Sequence, residues 1–188
     1  MGTMKTFYSF GAGLLLVALA GCALPKLPGL PSINSIKEAT GLGSTGDTAK
    51  DAVILANSAA DVWAPGADLV DVRGTRIDTG GRDHGLTEGQ WLVEYQLLAK
   101  KKMLQVVVNN GKVTGQSELP YQDGSPTLDR GLGGVLDSAD AIGKAGLGAH
   151  SYTVILRGTT AGPRYDVLGE GAGTAATLDA NTGAKATD

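Results

Sequence analysis

Residues 90–117, QWLVEYQLLAKKKMLQVVVNNGKVTGQS, decide the fold class. Trp91, Val93, Tyr95 and Leu97 alternate with Leu92, Glu94, Gln96 and Leu98, the period of two of a strand with one dry face. Lys100, Lys101 and Lys102 make the next turn, and Met103 to Val108 a further strand. Asn110-Gly111 is the strongest short hairpin signal in the chain, because both residues tolerate the positive φ of a type I′ turn. Val113 to Ser117 returns from it. Strands linked by such short turns form an antiparallel meander.

Upstream of the meander the period changes. Ala52, Leu55, Ala56, Ala59 and Trp63 recur at helical spacing, which predicts a helix over Thr48 to Asp61 with one apolar face and Trp63 as a core anchor. Thr48 and Asp51 resemble a capping box, and Pro65-Gly66 ends the helix. Leu69 to Ile77 reads as a strand. Gly80 to Gly89 reads as a solvated polar loop that holds Asp83, His84 and Glu88.

Downstream, Pro120 to Gly134 is rich in turn residues. A second helix is expected over Asp137 to Ala145, stopped by Gly146 and Gly148. Strands are expected at Tyr152 to Arg157, Arg164 to Leu168 and Thr174 to Leu178, with Tyr152 to Arg157 at a sheet edge. Asn181 to Asp188 is expected to fray. A helix followed by strands therefore occurs twice. Asp51-Ala52-Val53 with Ala56 echoes Asp140-Ala141-Ile142 with Ala145, which reads as a degenerate internal duplication. The fold class is α+β, two helix-plus-antiparallel-meander units with each helix covering one sheet face.

Leu178-Asp179-Ala180-Asn181-Thr182-Gly183 closes the second unit, and the stretch from Asp137 to Gly183 resembles PepSY-like domains. In these an alanine-rich helix precedes a three-stranded meander whose last strand often ends in such a step. The resemblance implies a module that binds proteins or peptides, as such domains are thought to do in restraining peptidases. The first unit departs from it through the insertion between Ile77 and Gln90 and through a last strand without the Asp-Ala step.

The N-terminus has a different job. Lys5 precedes an apolar core from Gly11 to Ala20, which is too short to span a membrane and reads as a secretory signal peptide. Leu19-Ala20-Gly21-Cys22 resembles a bacterial lipobox. That resemblance implies cleavage before Cys22 and acylation of Cys22, with more than one chain for firm anchoring. Ala23 after the cysteine resembles the outer-membrane default, facing the periplasm in a Gram-negative cell. Pro25, Pro28 and Pro31 stiffen a tether, and the G-x-G-x-x-G match at Gly41, Gly43 and Gly46 lacks the buried strand a dinucleotide turn requires. The chain thus divides into a signal peptide (1–21), lipidated cysteine and tether (22–46), first unit (47–119), bridge (120–136), second unit (137–183) and tail (184–188).

A formal net charge of −3 gives no basic footprint, so no nucleic-acid partner is expected. With a single cysteine, no intramolecular disulfide forms. His84 and His150 lie in no zinc motif, no nucleophile elbow or P-loop occurs, and neither a catalytic residue, a metal nor a cofactor is expected. Lys100 to Lys102 solvate a hairpin tip and are also placed to touch anionic headgroups. The sequence points to a non-catalytic envelope lipoprotein that binds an unidentified protein or peptide and sits on the membrane through Cys22. The alternatives are a small-ligand or lipid carrier and a metal-dependent hydrolase built on Asp78, Asp83, His84 and Glu88.

Overall fold

A computed structural model describes residues 48–83 and 89–186. The signal segment, Cys22, the tether, His84 and Glu88 lie outside the described residues. Helix α1 (Ala49–Trp63) leads into β1 (Asp68–Ile77), β2 (Gln90–Leu97), a one-turn 3₁₀ segment (Leu98–Lys100), β3 (Lys102–Asn109) and β4 (Lys112–Leu119). Helix α2 (Ser138–Ala145) precedes β5 (Tyr152–Thr159), β6 (Gly162–Gly169) and β7 (Thr174–Asp179).

Local signals set most of these boundaries. Thr48 caps α1, its hydroxyl accepting the Asp51 N–H at 3.4 Å. Asp137 caps α2, and Gly146 ends it at φ +65°. Asn110 and Gly111 both take positive φ, as the β3–β4 hairpin requires.

All seven strands form one antiparallel sheet in the order β4-β3-β2-β1-β5-β6-β7. Each meander runs outward from a central β1–β5 seam, and each has its own helix: α1 lies over β1 to β4 and α2 over β6 and β7. Tyr152 to Arg157, expected at an edge, is therefore central. β5 hydrogen-bonds to β1 on one side and β6 on the other, leaving β4 and β7 as outer strands.

The alternation in β2 holds. Trp91, Val93 and Tyr95 are buried, with Leu97 packed at the margin of the core. Cross-strand pairing carries that row from Val106 through Val93 and Val72 to Leu156, Tyr165 and Leu178, all fully or almost fully excluded from water. Gly74, paired with Trp91, lets the indole lie across β1. A Cβ there would stand 2.5 Å from the ring. Trp63 is only partly buried. It packs at the core's rim and donates its indole N–H to Glu118 Oε1 at 2.9 Å, so it is less of an anchor than its helical spacing suggested.

The bridge from 120 to 136 supplies core residues of its own. It straps the end of the sheet where β2 turns into β3. The Gln122 N–H reaches Met103 Sδ, the Ser125 carbonyl accepts from Gln96, and Leu128 N–H donates to Leu69 at 2.7 Å. Leu128, Leu132 and Val135 are buried. Arg130 then ties the strap to α1. It donates to Asn57 Oδ1 (3.0 Å) and Asp61 (2.8 Å), and its guanidinium lies 5.5 Å from the Tyr95 ring.

The tail also departs from expectation. Asp179 Oδ1 accepts from the Asn181 and Thr182 N–H groups and the Thr182 hydroxyl, a side-chain-held turn. Gly183 takes φ +72° directly beneath Lys144. Residues 184–186 then fold back along β7, with Ala186 N–H donating to Thr177 at 2.9 Å. Backbone pairing, invisible in local composition, orders them.

Candidate functional site

Among the described residues, both helices lie on one face of the sheet, so the strands present their alternate residues outward on the other. Two rows cross that open face in register. One runs Ser117, Gln105, Glu94, Asp71, Arg157, Arg164, Asp179. The next runs Gly115, Val107, Leu92, Arg73, Ile155, Asp166, Thr177. The first row carries acid on β1 and β2 and base on β5 and β6, a charge reversal across the seam.

The basic half is tightly bonded. Asp166 pairs with Arg157, accepts from Arg164 Nε at 3.1 Å and accepts from the Thr177 hydroxyl at 2.9 Å. Burial opposes ionisation of Asp166, but the bonds from Arg157, Thr177 and Arg164 outweigh it and hold the carboxyl below its ordinary range. Arg164 also donates to Thr177 at 3.0 Å. A shallow depression over this half is lined by Ile155, Arg157, Asp166, Leu168, Ala175 and Thr177.

The acidic half is less settled. Glu94 accepts from Gln105 at 2.9 Å. Asp71 lies between Glu94 and Arg157 in register, yet Arg157 turns to Asp166, and Asp71 Oδ1 is buried without a hydrogen bond. Burial first, and Glu94 beside it, push the Asp71 carboxyl up to about 6, against the opposing pull of Arg73 and Arg157. Chemically the face offers mixed-charge and amide groups held in register on one hydrogen-bonded sheet. That equipment suits the recognition of an extended polar surface.

The residues singled out in the loop from 78 to 89 divide differently. Asp78 Oδ1 accepts from the Gly80 and Arg82 N–H groups, closing a turn. Asp83, expected in a solvated loop, is 1% exposed, and its Oδ2 accepts the Asn110 N–H at 2.9 Å. A carboxylate drawn in to hold a hairpin turn is no longer loop decoration. His150 is exposed, at the foot of β5. Among the described residues, no group of three or more His, Cys, Asp or Glu side chains stands close enough to hold a metal ion.

Asp71, Glu94, Arg157, Arg164 and Asp166 were not singled out from sequence. The available signal was the outward phase of each strand, Glu94 against Tyr95 and Asp166 against Tyr165. Joining those phases into rows requires the β1–β5 register.

Comparison with known proteins returns a likeness of fold. A crystal structure from Clostridium difficile, described as a "putative lipoprotein", superposes with a TM-score of 0.53 at 14% sequence identity, covering 71% of this chain and 89% of that one. No family model matches the sequence, and no curated protein matches it. Among the described residues, no helix is long and apolar enough to cross a membrane.

Proposed function

We propose that this chain is a membrane-anchored lipoprotein of the bacterial envelope and that it acts as a non-catalytic module binding a protein or peptide. Cys22 carries the lipid, and the folded part presents the open face of its sheet to the partner. The observation that carries this reading is the half-covered sheet, whose first outward row sets Glu94 and Asp71 on β2 and β1 against Arg157 and Arg164 on β5 and β6, with Arg73 and Asp166 of the next row interleaved. A partner laid across it is oriented by charge, which steers encounter and register more than it adds affinity. The lipobox at Leu19 to Cys22 and the likeness in fold to a protein described as a lipoprotein support the anchor. The PepSY-like step at Leu178 to Gly183 supports the binding role, and the mirrored strand order suits a duplicated helix-plus-meander unit.

A second reading rests on β4, which among the described residues is paired on one side only and is exposed along much of its length. An extended peptide adding there would extend the sheet. Photo-crosslinkers placed at Leu92, Ile155, Thr114 and the α2 residue Lys144 separate the two in living cells. Adducts of discrete mass from Leu92 and Ile155 support the open face; adducts from Thr114 alone support strand addition. Equal adducts from all four, Lys144 included, reject a defined binding face. The anchor has its own test: labelled palmitate enters the wild type and not Cys22→Ser, and equal labelling rejects it.

A further inference from the structure

We infer that the end of the sheet holding the β2–β3 turn lies against an anionic lipid surface. This rests on the anchor reading above and assigns the side of the molecule that the anchor brings to the membrane. Three observations meet at this end. Leu98 is 60% and Val62 66% exposed, two large apolar side chains left in water. Lys100, Lys101 and Lys102 follow Leu98 directly, all exposed. Trp63, half-buried beside Val62, is joined to the same turn through Glu118, which accepts from its indole and from Lys102 Nζ at 3.1 Å. The last turn of α1 and the lysine turn are thereby neighbours.

The charge distribution picks the occupant. Lys102 is neutralised by Glu118 and Asp61 by Arg130, while Asp68 at the start of β1 and Asp123 in the strap are exposed acids at the same end, set on β1 and the strap rather than on the lysine turn. Among the described residues, no ion pair engages Lys100 or Lys101. Two unspent ammonium groups beside two exposed aliphatic side chains, on a chain whose net charge is −3, match a surface that is anionic outside and apolar just beneath. A neutral bilayer would leave the lysines without a counter-charge, and an acidic protein would leave Leu98 and Val62 in water. The strained Lys101 (φ +49°) turns the chain so that Leu98 and the lysines share the tip. Reach is no obstacle. Cys22 lies 26 residues before Thr48, up to about 90 Å of chain, against about 22 Å for the length of α1.

The test puts an indole at the tip. Full-length Leu98→Trp is reconstituted in brominated vesicles of phosphatidylcholine alone or with about 30% phosphatidylglycerol, and flotation is measured beside fluorescence. Trp91 is fully buried, Trp63→Phe at the tip is carried by every variant so that its indole adds no signal, and Ala172→Trp, in the β6–β7 turn at the far end of the sheet, is the control. The expected result is stronger quenching of Leu98→Trp in the anionic vesicles, falling to the neutral level when Lys100→Glu and Lys101→Glu are added, with the control unmoved. Equal quenching in both lipids while the protein floats overturns the inference and spares the anchor. Failure to float with neutral vesicles overturns the anchor. In that case, tip contact stands if anionic vesicles still bind the chain about tenfold more tightly than the double-Glu variant, and falls if they do not.

Discussion

Asp83 Oδ2 accepts the backbone N–H of Asn110 at 2.9 Å, across 27 residues of chain. The contact fixes the loop after β1 to the hairpin turn between β3 and β4, with Asn109 also bonded to the Gly89 carbonyl. A buried carboxylate that receives a turn N–H is supported by it and in turn holds it.

Asp83→Ala should therefore destabilise the fold by about 1–3 kcal/mol, the range for leaving a polar partner unmatched. Asp83→Asn, which keeps an acceptor oxygen, should cost less. Urea titration of both variants checks this. Wild-type midpoints for both would mean the loop contributes nothing to the hairpin.

Gly74→Ala should cost about 1–3 kcal/mol, because its Cβ would meet the Trp91 ring at 2.5 Å and the Ile77 side chain at 2.6 Å. The penalty should shrink when Trp91→Phe is already present, since the smaller ring frees part of the space. A double-mutant cycle measures the coupling; strictly additive costs would place the strain elsewhere.

Tyr95 is fully buried, its hydroxyl donating to Asn57 Oδ1 at 2.9 Å, and burial raises its pKa well above the ordinary tyrosine value. Tyr95→Ala should cost about 3–5 kcal/mol. Tyr95→Phe, which strips one hydrogen bond and keeps the ring, should cost about 1 kcal/mol. Thermal and denaturant unfolding give both numbers. Similar losses for the two would assign the energy to the hydroxyl network with Arg130 rather than to the ring.

Asp71 makes stability depend on pH in an unusual direction. Its folded pKa of about 6 lies above the ordinary 3.8, so between those values the native state holds a proton that the unfolded chain has released. Its contribution to stability is thus lost as pH rises from about 4 to about 6 and stays lost above. Asp71→Asn should be more stable than the wild type at pH 7.5, with the gap closing as pH approaches 4. Denaturation midpoints at four pH values decide it. A gap that does not change with pH would mean the carboxyl is solvated.

The elements that sequence revealed are those whose causes are local. The Thr48 cap, the Asn110-Gly111 turn and the alternation around Tyr95 each depend on residues within a few positions. The α+β class followed from them. What stayed hidden depends on partners distant in the chain. The place of β5 beside β1, the burial of Asp83 against Asn110, and the folding back of 184–186 along β7 all arise from contacts that no short window contains. The charged rows stayed hidden for the same reason: Asp71 and Arg157 are 86 positions apart and become neighbours only when the seam closes.

That seam also orders the events of folding. Within each meander every strand pairs with its sequence neighbour, so each half closes only short loops. β1 and β5 alone join across the 120–136 strap, a closure whose entropic cost rises only slowly with length but must be met before its contacts repay it. Before the halves dock, β1 and β5 each expose an edge rich in Val, Ile and Leu. That undocked state is the one most exposed to aggregation, and the strap that holds the halves together in sequence favours its closure.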